Sequence, residues 1–154
     1  MMNDEAQRKL QQPVAAWSDG QGLALATELV ERHQNLLPKK ITNAQLSGLN
    51  GVVRAVDEVD RVMDFAQHQG TRAELAGRTE VKDYWDDLRE TLGGLEDEAA
   101  QLLSQTGVSV EVTGKGARAL AWLTLWLAQE FVQHLIAHSL YIGKTQRSRE
   151  ASRR

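Results

Sequence analysis

Residues 117–141, ARALAWLTLWLAQEFVQHLIAHSLY, set the architecture of this chain. Gly114 and Gly116 precede them, Gly143 follows, and no proline or glycine falls between. Strands are typically about 5–6 residues long, so an apolar segment of this length bounded by glycines reads as a helix closed by Gly143. Leu120, Trp122, Leu123, Leu125, Trp126 and Leu127 point in every direction around its first three turns. A helix with no polar back is enclosed by others. A membrane span is the competing reading, but that needs roughly 20 consecutive apolar residues. The uninterrupted run covers 119–128 and is followed by Gln129, Glu130, Gln133, His134 and His138.

The segments that would cover this helix are read from spacing. Residues 4–12 have helical composition, Pro13 ends that turn or starts the next, and Ser18-Asp19-Gly20 marks a break. Leu25, Ala26, Leu29, Val30, Leu36 and Leu37 then fall on adjoining faces of an amphipathic helix closed by Pro38. Thr42 with Gln45 three residues on is the capping-box pattern, and Ile41 can pack on Leu46 as a staple. From there to residue 76 no proline intervenes, and Gly48 and Gly70 share the apolar face, where they would let a neighbouring helix approach. Gly77-Arg78-Thr79 is the next break. Val81, Tyr84, Trp85, Leu88, Leu92, Leu95, Ala99, Leu102 and Leu103 keep helical spacing through Gly93-Gly94, which predicts one kinked helix. Residues 108–112, VSVEV, alternate like a strand with no partner strand and are expected to form an extended loop.

These patterns predict an all-α fold: a compact bundle of four to six helices around the apolar C-terminal helix, with the helices beginning near Leu23, Thr42 and Thr79 enclosing it. The chain has 154 residues, one domain's length, with two prolines and no cysteine. Without cysteine there are no disulfides and no thiolate metal sites. The N-terminus, MMNDEAQRKLQQP, has no apolar signal core, and a cytoplasmic location is the expectation. Net charge is −3 but unevenly spread. Five basic residues against Glu150 alone make residues 143–154 a +4 tail on a body of −7. The expected organisation is one helical domain, 1–142, and a flexible basic tail, 143–154. Lys144, Arg147 and Arg149 of that tail are candidates to touch a phosphate backbone; the alternative is a solvated, frayed terminus.

In the body, Arg54, Arg61 and His68 recur every seven residues and Arg72 returns to their line. A continuous helix would align all four, with Phe65 among them, in the pattern of basic residues and an aromatic that contacts a nucleic-acid backbone and stacks on a base. Asp57, Glu58 and Asp64 nearby support the alternative of a solvated, charge-paired face. The acidic run from Asp83 to Glu98 likewise reads as a solvated surface. Glu130, His134 and His138 stand at i, i+4 and i+8 and are the candidate metal ligands, although the Glu-x-x-His repeat of di-metal bundles is missing. Thr113-Gly114-Lys115-Gly116 lacks the spacing of a phosphate loop. No nucleophile constellation is visible, and no cofactor is expected.

ITNAQLSGLNGVVRAV (residues 41–56), a capped start leading into an Arg-bearing helix, followed by DFAQHQGTR (64–72), is similar to the small helical subunits of type III CRISPR effector complexes. The resemblance implies an all-helical, non-catalytic subunit that lines the assembly and helps hold guide and target RNA. It would make Arg54, Arg61 and Arg72 RNA-facing. The functional expectation is a non-enzymatic assembly subunit contacting protein partners or, because a small bundle hardly covers so long an apolar helix, a second copy of itself, with single-stranded RNA as a further candidate partner. A helical adaptor or regulatory module with no nucleic-acid partner is the alternative, and a metal-dependent enzyme a third.

Overall fold

The computed structural model describes residues 4–107 and 115–153. Its order is α1 (Asp4–Trp17), a π-helical turn (Ser18–Gly22), α2 (Leu23–Arg32), a 3₁₀ turn (Gln34–Leu36), α3 (Asn43–Ala55), α4 (Val59–Leu75), α5 (Thr79–Gly93), α6 (Leu95–Gln105) and α7 (Lys115–Ser152). The fold is all-α, and no strand occurs among the described residues. The expected extended loop at 108–112 lies outside them.

The long apolar helix is the axis of the fold. Leu123, Leu127, Ala128, Phe131, Val132 and Leu135 of α7 are fully buried. They are covered by α2, α3 and α6, with a lighter contact from α4. The helix beginning at Thr79 was expected to take part, but its first half, α5, packs on α4 instead. The chain turns at Gly94, and the second half, α6, packs on α7 and α1. In the α4/α5 pair, Gly70 serves close approach as its place on the apolar face implied: a Cβ there would stand 3.6 Å from Trp85 Cβ.

Two expected breaks are not breaks. α1 runs through Pro13, and the carbonyl of Lys9 that loses its donor there belongs to an exposed residue. Ser18-Asp19-Gly20 opens the π turn, so the chain stays helical from Asp4 to Arg32. Gly22 is required in that turn, because a Cβ would meet the Trp17 ring at 2.8 Å.

The capping box at α3 is formed: Thr42 Oγ1 accepts from the Gln45 N–H at 3.3 Å, and Gln45 Oε1 accepts from the Thr42 N–H at 3.0 Å. Ile41 and Leu46 on either side are both buried. α3 ends at Ala55, with Val56 and Glu58 in extended conformations before α4. Gly143 does not end α7, which continues to Ser152. The glycine instead admits the loop after α2: a Cβ on it would lie 3.3 Å from Pro38 Cβ. Gln146 Nε2 donates to the Gln34 carbonyl at 3.2 Å, and Lys39 pairs with Glu150 at 3.2 Å. The tail expected to be flexible thus extends the central helix along residues 34–39. No helix among the described residues is long and apolar enough to cross a membrane.

Candidate nucleic-acid interface

The α3/α4 break changes the geometry of the basic line. Arg61, Phe65, His68 and Arg72 all belong to α4 and, at 100° per residue, fall within roughly 60° of one another. Arg54 belongs to α3 and lines a separate cleft of about 300 Å³ with Asn50, Val53, Gln129 and Gln133. Arg61 pairs with Glu58 of its own helix start at 3.7 Å, and His68 is exposed.

Phe65 and Arg72 do come together, with partners that spacing along one helix cannot reveal. A cleft of about 390 Å³ is lined by both, by Lys39 and Lys40 of the loop after α2, by Thr42, Gln45 and Gly48 of α3, and by Gln69 and Arg78. Its neighbour, about 510 Å³, shares Lys39, Lys40 and Arg78 and adds Thr79, Glu80 and Val81 of the first turn of α5. No side chain caps α5, so the N–H groups of that turn lack helical acceptors and add positive potential to the cationic side chains. Gly77, with φ of +72°, makes the turn that brings Arg78 to the helix start. Lys40 is 3.5 Å from Glu80, whereas Arg72 and Arg78 form no ion pair among the described residues. The two clefts thus gather Lys39, Lys40, Arg72 and Arg78 on an otherwise acidic body, with Lys40 paired to Glu80 and Lys39 to Glu150.

Phe65 has a different part from the one its exposure on a free helix would imply. Its ring stands edge-on to Trp85, centroids 6.0 Å apart, and 3.5 Å from where Gly48 would carry a Cβ. Half-buried, it is the floor of the groove rather than an open stacking face. Lys144, Arg147 and Arg149 lie exposed on the last turns of α7, beside the loop that carries Lys39.

The Glu130, His134 and His138 row divides. Ser18, on the π turn and 4% exposed, donates to Glu130 Oε2 at 3.1 Å and lies 2.8 Å from His134 Nε2. With the hydroxyl proton on Glu130, Nε2 must carry the proton of the second contact. His138 turns to Glu31 at 4.0 Å and stacks on Tyr141. No three His, Asp or Glu side chains are gathered for a metal among the described residues. Reading one helix at a time missed Ser18; the signal was a serine and two glycines, SDGQG, within a helical run.

A second polar cluster ties α2 to α5. His33, at the end of α2, shares a proton contact with Asp87 Oδ2 at 2.5 Å, and Arg32 donates to the same oxygen at 3.3 Å and to Glu28 at 2.8 Å. Burial pulls the Asp87 carboxyl upward, but the His33 and Arg32 hydrogen bonds outweigh it and hold the group below its ordinary value. Tyr84, edge-on to His33, is fully buried and its hydroxyl is pushed well above the usual range by desolvation.

No protein-family model, curated protein or solved structure matches the chain.

Proposed function

We propose that this protein is a non-enzymatic helical subunit that holds an RNA backbone and contacts protein partners, in a ribonucleoprotein assembly of the kind residues 41–72 resemble. The observation that supports the reading is a pair of neighbouring clefts: Lys39, Lys40 and Arg78 line both, the uncapped start of α5 lines one and Arg72 the other. Cationic side chains and helix N-terminal N–H groups are the donors that position phosphates without reading bases. Binding through them is independent of sequence and sensitive to salt.

The test is fluorescence anisotropy with a labelled single-stranded RNA over a salt series. Joint Arg72→Glu and Arg78→Glu substitution is expected to weaken binding at least about tenfold and to lower the salt slope by about 1.4, two contacts at roughly 0.7 each. Arg54→Glu, in its separate cleft, stays within about twofold. Unchanged affinity in the double variant would remove the groove from the account.

The adaptor reading, in which the chain binds proteins alone, draws on a different observation. Leu140 and Tyr141 are exposed on α7, Tyr141 at 65%, and exposed apolar side chains that cluster serve protein contacts. No RNA binding at low salt would favour it.

A further inference from the structure

The groove reading leaves unused the part of the chain where the positive charge is densest. The last turns of α7 are docked on residues 34–39 by Gly143 against Pro38, by Gln146 on the Gln34 carbonyl and by Glu150 on Lys39. Arg147 stands three residues before Glu150 and Arg153 three after, so the three share one row along the helix surface. The Arg153 N–H donates to the Glu150 carbonyl at 3.2 Å, which carries the turn that far. Arg147 and Arg153 therefore flank the carboxylate that holds Lys39, and both are exposed. Lys39 itself lines both clefts. Arg72, Arg78, Lys40 and Lys39 line the clefts, and Lys39 leads on to Arg147 and Arg153 of α7, with Glu80 beside Lys40 and Glu150 beside Lys39 as the carboxylates among them.

Resting on the proposed function, we infer that the end of α7 and the groove form one track for a single extended polynucleotide strand, Arg147 and Arg153 taking phosphates beyond those held at Arg72 and Arg78. A single strand can lay successive phosphates along clefts of about 390 and 510 Å³ and on to α7. A track of this kind makes affinity grow with strand length until the strand reaches α7.

The experiment uses the full chain and labelled oligouridylates of about 4 to 16 nucleotides, with wild type, Arg147→Glu with Arg153→Glu, and Arg72→Glu with Arg78→Glu. The α7 variant is expected to bind the longest strand about tenfold more weakly, with a salt slope lower by about 1.4, and to match wild type on the shortest. Circular dichroism confirms that these exposed substitutions leave helicity intact. Loss of binding in the groove variant with no change in the α7 variant at any length would overturn the track and spare the groove. Equal loss in the α7 variant at every length would also overturn it, because a general charge effect needs no track. Binding of a polyglutamate of matched length as tightly as the RNA would overturn it in favour of an acidic protein partner. No effect in the groove variant would instead sink the reading on which the track rests.

Discussion

Lys39 Nζ lies 3.2 Å from Glu150 Oε2, which fastens the loop bordering the cationic groove to the last turns of the central helix. An exposed pair contributes at most about 1 kcal/mol, so the pair alone does not hold the two together. The packing of Gly143 on Pro38 and the Gln146 hydrogen bond act at the same seam.

Gly143→Leu tests that seam. Its Cβ would already stand 3.3 Å from Pro38 Cβ, so a leucine there has to displace the proline. The expected cost is about 1–3 kcal/mol, or release of the last turns of α7 from the loop. Hydrogen exchange should show faster exchange of amides 144–152 with the α4/α5 pair unchanged. Wild-type protection over those amides would mean that the seam is not what orders them.

Ser18→Ala removes the hydroxyl that serves both Glu130 and His134. Both partners are half-buried, so a loss of about 1–3 kcal/mol is expected in denaturant melts. Glu130→Gln keeps an acceptor for the hydroxyl and should cost less. Equal losses in the two variants would show that the charge on Glu130 contributes as much as the Ser18 hydroxyl.

The Asp87 cluster predicts an acid-dependent term. Its folded carboxyl sits below the ordinary value, so its stabilisation is fully present above the unfolded value of about 3.9 and disappears as pH falls through the folded one. Asp87→Asn should lower stability by about 1 kcal/mol near neutral pH. The gap from wild type should close below about pH 3. A gap that stayed constant to low pH would mean that the loss is one of packing, not of the hydrogen bonds that the carboxylate shares with His33 and Arg32.

The fold was legible where one helix's own pattern determines the outcome. The burial of α7, the capping box at Thr42 and the glycine approach at Gly70 all follow from residue types at fixed spacing. The ends were not. Pro13, Ser18-Asp19-Gly20 and Gly143 are breakers by local chemistry, yet all lie in helix, Ser18 tied to α7 and Gly143 packed on Pro38. The site was half visible for the same reason. Spacing on α4 picked out Phe65 and Arg72, but Lys39 and Lys40 come from one loop and Arg78 from another, which tertiary structure alone brings together. Arg54 left the line because the chain is extended at Val56 and Glu58, where no proline or glycine marks a break.

The most direct test of the groove is an amide chemical-shift titration of the labelled full-length protein with a short oligouridylate. The account predicts the largest shifts at Thr79, Glu80 and Val81, whose N–H groups begin α5, together with Lys39, Lys40 and Arg72, all fading as salt rises. Shifts confined to the Arg54 cleft or to α6, with the α5 start unmoved, would contradict it.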